Sequence, residues 1–489
     1  MRLILGSTLK TAKHQFGRDV LLSSFATGAR WLRYFLALPV LTHNLDQIQL
    51  GLWEQVIVGI NIVIPWVSLQ LPGALVRFLP GLTDTKEQRD TTYALLFLTL
   101  AYSILLTLIF SLIFRAIFSE SHWSPLVALL PSISFLVIMT TCVDYVRSYF
   151  RARRQMVLHS THATLQYFGE LVVIAYALWD TGNIEVALWA LLSIRTFLFF
   201  VGLVFIIRQL GWAKPSSLSA RVYLKFSVPL IPTAALYRLF DAGDRFLIAH
   251  FMGHAAVGTY YVSYTAASVF ATLSSPIYLV LLPALAEFWK GEKKEEIKDY
   301  ISDILRYTTT LTVPILVFVS LFTNELLLIA TSDNYTESAH YVPALALGFF
   351  AFSLGVPGDH LLMAAGKTRW LLTINGAMTL VNISLNMLLI PSVGLFGAVS
   401  ATVIGHLVYA VATLSLAHRI IPLHIPWRSF LLVLINSLIM GFILHLTRSH
   451  LSIMLLGLLA ACSYGILSTI SGLIGKREWN YFLRMLKTD

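Results

Sequence analysis

TYALLFLTLAYSILLTLIFSLIFRAIF, Thr92 to Phe118, runs for 27 residues with a single charge, Arg115, close to its end. About 20 apolar residues cross the hydrocarbon core of a bilayer as a helix, so this stretch is read as a transmembrane helix. Comparable stretches flank it at 20–42 and 48–71, and at 124–146, 163–180 and 184–207. Eight more follow at 226–250, 257–284, 306–330, 341–365, 371–391, 394–417, 429–447 and 452–474. The fold class is therefore an all-α polytopic membrane protein of about fourteen transmembrane helices. Composition agrees, with 57% of residues hydrophobic and 12% charged, against about 25% charged in soluble domains. An ionised side chain at mid-bilayer costs about 2.5–3.5 kcal/mol on insertion scales, so a lipid solvent selects against charge.

The basic residues fix an orientation. Of the 35 Lys and Arg, 28 lie in the N-terminal segment, the C-terminal tail and every second connection. One, Arg448, lies in the opposite connections, and six lie within spans. The positive-inside rule then puts both termini in the cytoplasm of a cell in whose plasma or inner membrane the chain sits, with an even number of spans. The N-terminal segment is polar and basic, with no cleavable-signal pattern. The net charge of +10 is spent on this asymmetry, and nothing points to nucleic acid. Cys142 and Cys462 both lie in apolar stretches, so neither a disulfide framework nor a cysteine-built metal site is expected. Residues 290–306 carry Ile297, Tyr300, Ile301 and Ile304 at helical spacing among charges, the pattern of an amphipathic surface helix or of a solvated linker helix.

The chain partly repeats itself. GLWEQVI from Gly51 has a counterpart in GTYYVSY from Gly258, and LVRFLP ending at Pro80 parallels YLVLLP ending at Pro283. This sets an N-terminal lobe at 1–210 (helices 1–6) and a C-terminal lobe at 221–420 (helices 7–12), in parallel pseudo-repeat. Helices 13 and 14 at 428–475 and a basic cytoplasmic tail at 476–489 stand outside it. Parallel repeats with an even number of spans are a transporter architecture, with the site between lobes that rock. Pro39, Pro65, Pro131, Pro229, Pro232, Pro276, Pro314 and Pro357 interrupt spans and invite kinks.

Charges inside spans mark the candidate site, because burial of an ion is costly unless it is used or paired. Arg30 and Arg33 share a face of helix 1. Helix 7 carries Arg238, Asp241, Asp244 and Arg245, with Asp241 spaced to pair with either arginine. Arg195 is mid-span in helix 6 without a local partner, and Arg77 lies at the end of helix 2. Guanidinium forks suit phosphate, so these six arginines read as a cationic cavity for an anionic group. The competing reading is snorkelling or structural ion pairing. Glu170, Asp241, Asp244 and Asp359 are the candidates for proton or cation coupling. Glu54 and Asp144, near span ends, read as hydrated structural acids, His360 and His406 as packing residues. Asn375, Asn382 and Asn386 suit interhelical hydrogen bonds.

Other chemistry is missing. GKT at Gly366 lacks the glycine five residues earlier that a phosphate loop needs, since Leu361 stands there. The external connections are short, with Asp333 and Glu337 the obvious acids near one and Asn334 in a formal glycosylation sequon. No enzymatic activity, cofactor or metal is expected.

Three segments carry a family resemblance: GARWLRYFLALPVLTHNLDQIQLGLWEQVI (Gly28 to Ile57) with LQLPGALVRFLP (Leu69 to Pro80), LYRLFDAGDRFLIAHFMGHAAVGTYYVSYTAAS (Leu236 to Ser268), and GLFGAVSATVIG (Gly394 to Gly405). They resemble the polysaccharide-export and O-antigen flippases of the multidrug/oligosaccharidyl-lipid/polysaccharide exporter superfamily. The resemblance implies a V of two six-helix lobes that moves a polyprenyl-pyrophosphate-linked saccharide from the cytoplasmic to the outer leaflet by alternating access, for cell-surface polysaccharide synthesis. It implies that Arg30, Arg33, Arg77, Arg195, Arg238 and Arg245 hold the pyrophosphate and that helices 13 and 14 form a groove for the lipid tail. Its partners would be membrane lipids, a polysaccharide polymerase and glycosyltransferases. The alternatives are a drug or cation exporter of the same superfamily, which predicts twelve spans and an acidic cavity, a membrane-embedded glycan-assembly enzyme, and a non-transporting assembly scaffold.

Overall fold

The computed structural model describes residues 28–213, 220–473 and 475. The basic N-terminal segment, the linker around 214–219 and the C-terminal tail lie outside them. The described residues are helical throughout, and ten of the helices are long and apolar enough to cross a membrane. Four expected spans account for the difference. The stretch at 20–42 is described only from residue 28, where helix α1 covers 28–44. The stretch at 163–180 is one helix, α7 (Met156–Thr181), made more polar by His162, Gln166 and Glu170. The other two, at 226–250 and 257–284, are broken into shorter helices.

Contacts group the chain into two compact units, Met1–Gly258 and Thr259–Asp489. In the first, α2 (Gln47–Val67) starts at a capping box. Asp46 Oδ1 accepts from the Gln49 amide at 2.8 Å, and Gln49 Oε1 accepts from the Asp46 amide at 3.3 Å. Helix α2 stops where Leu69 and Gln70 take left-handed backbone angles, φ 48° and 52°, which side chains disfavour. α3 (Leu71–Phe78) restarts the chain with Pro72 in its first turn, where no N–H is needed. α4 (Thr85–Phe118), α5 (Ser124–Ala128), α6 (Leu130–Ala152), α7 and α8 (Ile184–Leu210) follow. The core lies where α6 meets α3, α4 and α8, with Leu71, Leu75, Tyr93, Leu95, Val143, Tyr145, Val146, Tyr149, Phe199 and Ile206 buried together. The phenols there are satisfied by neighbouring helices: Tyr145 donates to the Thr92 carbonyl at 2.6 Å and Tyr149 to Gln209 at 3.0 Å.

The stretch at 226–250 becomes α9 (Ala220–Ser227), a 3-10 turn at Val228–Leu230, α10 (Ile231–Ala242) and α11 (Asp244–Met252). Pro229 and Pro232 lack the N–H groups that would carry an α-helix through. α12 (His254–Ala267) and α13 (Val269–Lys290) divide the next stretch in the same way. Gly51 and Gly258 permit a crossing of α2 with the start of α12. A Cβ on Gly51 would sit 1.8 Å from the His254 carbonyl oxygen, and one on Gly258 would sit 2.3 Å from that of Gln47. The contact is reciprocal, because the repeat offset of 207 residues carries Gln47 onto His254 and Gly51 onto Gly258.

The second unit contains α14 (Lys294–Ala330), α15 (Val342–Ala364), α16 (Thr368–Val393), α17 (Leu395–Ile420), α18 (Trp427–Thr447) and α19 (Ile453–Ile470). Gly348, Gly355 and Gly358 of α15 face α17 so closely that an added Cβ would meet its Val403, Ala410 and Thr413 backbone atoms at 3.2, 2.8 and 2.8 Å. Small residues of this kind replace the hydrophobic drive that lipid does not supply. The segment at 290–306 is no separate surface or linker helix. Lys290 closes α13, and the residues from Lys294 on are the first turns of α14, whose Ile297, Ile301 and Ile304 are buried against Leu281, Leu285, Leu361, Ala417 and Ile421. Asn386 bonds within its own helix, to the Asn382 carbonyl at 2.8 Å, rather than across to another.

Candidate functional site

Glu170 sits at the centre of a buried polar cluster in the first unit. Its side chain is 0% exposed, so both oxygens must be satisfied by protein. Arg33 of α1 donates Nη1 to Oε2 at 2.7 Å, and Arg195 of α8 donates Nε to Oε1 at 2.8 Å. Gln166, one turn before Glu170 on α7, donates to the same Oε1 at 2.9 Å. Arg195 also reaches Thr140 of α6 through Nη1. Four helices are thus tied to one carboxylate, and Arg195, read as lacking a local partner, has one on the neighbouring helix.

A second buried cluster forms around Arg245. Its Nη1 lies 2.6 Å from Asp244, its Nε lies 3.5 Å from Glu54 of α2, and Nη1 also meets the Asp241 carbonyl at 3.1 Å. Arg245 and Asp244 are each only 3% exposed. Glu54, read as a hydrated acid near a span end, is a buried structural partner instead. Nearby, His254 joins α12 to α2 and to the chain after α4. Its Nδ1 lies 2.9 Å from Gln55 Oε1, and its Nε2 lies 3.1 Å from the His122 carbonyl.

The remaining arginines differ in kind. Arg30, Arg77 and Arg238 are exposed and make no ion pair among the described residues. Arg30 of α1 and Arg238 of α10 both lie in electrostatic range of Asp241 and of Tyr237. Arg77 is elsewhere, at the end of α3, with its guanidinium 4.8 Å from the Phe226 ring centroid. All six arginines lie in the first unit. Asp359 lies in the second, on α15, 3.9 Å from His360 and within hydrogen-bonding reach of Tyr409.

The site therefore has two kinds of cation. Arg33, Arg195 and Arg245 are neutralised by Glu170, Glu54 and Asp244 and hold helices together. Arg30 and Arg238 keep their forks available around Asp241. Hydropathy and spacing singled out each of these arginines from the sequence. What they missed was Glu54, and the pairing of Glu170 with Arg33 across 137 residues of chain.

Comparison with known proteins bears on the family and the fold. A family model described as polysaccharide biosynthesis protein matches residues 79–340. An uncharacterized membrane protein of Methanocaldococcus jannaschii is 22% identical over 200 residues, which is 40% of this chain and 39% of that one. A protein of Haloferax volcanii named as a probable low-salt glycan biosynthesis flippase is 24% identical over 208 residues, 42% of this chain and 43% of its own. The chain thus spans about two fifths of the length of the curated relatives it matches. Among solved structures, the lipid II flippase MurJ in an inward closed conformation has a TM-score of 0.75 at 16% identity, over 93% of this chain and 98% of that one. An inward-facing multidrug resistance MATE family transporter of the MOP superfamily has a TM-score of 0.66 at 13% identity, over 80% and 94%. At these identities the likeness is one of fold, and that fold is a multi-pass membrane protein.

Proposed function

The chain belongs to the polysaccharide biosynthesis protein family, and on that premise we propose that it is a flippase for a polyprenyl-pyrophosphate-linked saccharide. It carries this substrate from the cytoplasmic to the outer leaflet of the cell membrane by alternating access, for cell-surface polysaccharide synthesis. The observation that supports this most directly is the division among the arginines. Three buried guanidiniums are matched by carboxylates, while Arg30 and Arg238 remain unmatched and exposed around Asp241. Two guanidinium forks with a single carboxylate, Asp241, between them keep a net positive charge suited to a pyrophosphate. A drug or cation exporter calls for the opposite, an acidic cavity, whereas here Glu54, Glu170 and Asp244 are held by arginine and Asp241 lies within range of two more.

In this reading Arg30 and Arg238 bind the pyrophosphate. Arg33, Arg195 and Arg245 set the helix geometry that presents them, and Arg77 meets the substrate at the membrane surface. Asp241, between the two open arginines, is the group through which a proton or cation would change their hold, with Asp359 as a second coupling position. Hydropathy supports about fourteen spans, and the distribution of Lys and Arg supports both termini being cytoplasmic. Helices 13 and 14 take the lipid tail. The named functions of the Haloferax protein and of MurJ support the substrate class. A polysaccharide polymerase and glycosyltransferases act on either side of the step.

Mass spectrometry of lipid-linked saccharides in cells depleted of the protein tests the reading. Accumulation of a complete polyprenyl-pyrophosphate saccharide, rescued by the wild type and not by Arg30→Ala or Arg238→Ala, is the expected result. An unchanged lipid pool would refute it, and a truncated saccharide would point to an assembly enzyme.

A further inference from the structure

A second basic pocket lies in the first unit, at the break between α2 and α3. It has a volume of about 280 Å³ and is lined by Ser68, Asp144, Arg147, Ser148, Arg151 and His159, none of which belongs to the clusters above. Asp144, Arg147, Ser148 and Arg151 are spaced i, i+3, i+4 and i+7 on α6, so one helix face supplies them. Asp144 neutralises Arg147. The imidazole of His159 donates Nδ1 to the Arg147 carbonyl at 3.1 Å, tying α7 to this face. Arg151 is exposed and has neither an ion pair nor a side-chain hydrogen bond among the described residues. The charged lining therefore holds two guanidiniums against one carboxylate, beside the hydroxyls of Ser68 and Ser148.

We propose that this pocket binds a phosphate or pyrophosphate group, at a site separate from Arg30 and Arg238. Arg151 supplies the open fork, Arg147 a second cation shared with Asp144, and the serines supply neutral donors. The volume, at the small end of ligand pockets, accommodates a phosphate or pyrophosphate group. The proposal does not depend on transport, because the pocket is complete within one unit. Its ligand is either a soluble phosphate or the headgroup of a phosphorylated lipid, since both present the same oxyanion.

The test is titration of the full-length protein, in nanodiscs of zwitterionic lipid, with inorganic pyrophosphate by calorimetry. An Arg30→Gln/Arg238→Gln background removes the two open arginines around Asp241. Saturable binding should persist in that background and weaken as salt is raised. Arg151→Gln should weaken it tenfold or more. Asp144→Asn should tighten it severalfold by releasing Arg147, a gain that a purely structural role for this ion pair would not produce. No binding in the double-variant background, or binding indifferent to Arg151→Gln, would overturn the proposal while leaving the flippase reading intact. Nanodiscs doped with a polyprenyl phosphate separate the two sources. Loss of pyrophosphate binding on doping, in the presence of Arg151 only, assigns the site to the lipid headgroup, and undiminished binding assigns it to a soluble phosphate.

Discussion

Replacing Glu170 by glutamine would keep the volume of the side chain and remove its charge from a place water does not reach. In the structure its two oxygens meet Arg33 at 2.7 Å and Arg195 at 2.8 Å. Arg195 is 9% exposed in its side chain and Arg33 15%, so neither guanidinium can turn to bulk solvent without moving a helix. A glutamine offers one acceptor where the carboxylate had two, and its NH2 group would oppose a guanidinium donor. Removing one partner of a buried ion pair costs about 3–5 kcal/mol, most of it the penalty of the charge left behind. At about 2–4 °C per kcal/mol for a unit of this size, the low end corresponds to a loss of about 6–12 °C. The assay is the temperature at which half of the detergent-extracted protein leaves the monodisperse peak in fluorescence size-exclusion chromatography. Glu170→Gln/Arg195→Met should be closer to the wild type than Glu170→Gln alone, because it removes one of the two buried guanidiniums left without a counter-ion. If Glu170→Gln melts within about 1 °C of the wild type, or if the double variant equals the sum of the two singles, Glu170 does not organise this cluster.

Gly51→Ala should destabilise the protein by about 1–3 kcal/mol, because its Cβ would lie 1.8 Å from a backbone oxygen. Gly59→Ala on the same helix, whose Cβ would meet only the Phe246 ring at 3.7 Å, should be neutral or stabilising, and equal effects would refute the crossing. His122 tests the histidines between α4 and α12. Burial and the neighbouring His250 and His254 hold its imidazole below the ordinary 6.5. The unfolded chain therefore takes up this proton more readily than the folded one. Thermal stability owed to His122 should be intact above pH 6.5 and fall on acidification below it, and His122→Asn should flatten that slope. A wild type that gains more stability in acid than His122→Asn would contradict this.

Much of the architecture was legible because lipid imposes length and polarity on each helix separately. Among the described residues, each expected span overlaps a helix or a broken run of helices, and Pro229 and Pro232 marked one break in advance. What one helix at a time cannot show is what lies across from it. The spacing of Ile297, Ile301 and Ile304 declared an apolar face, but Leu285 and Ala417 cover it rather than a membrane surface. Arg195 looked unpartnered because Glu170 lies on another helix. Glu54 was discounted by its distance from mid-span, whereas its role is set by the break that brings Arg245 to it. The basic pocket at Arg151 was hidden for a related reason. Its arginines counted toward orientation, a sum that does not distinguish a solvated charge from one lining a cavity.

The crossing of α2 with α12 has a consequence for descent. Gly51 rests on His254, and Gly258 rests on Gln47, so each half of the repeat holds the counterpart of the position it presses against. A side chain gained on one glycine needs room that only the other half can yield, and the reverse holds equally. Elsewhere the two stretches can diverge independently, but here a larger residue in one calls for a matching change in the other.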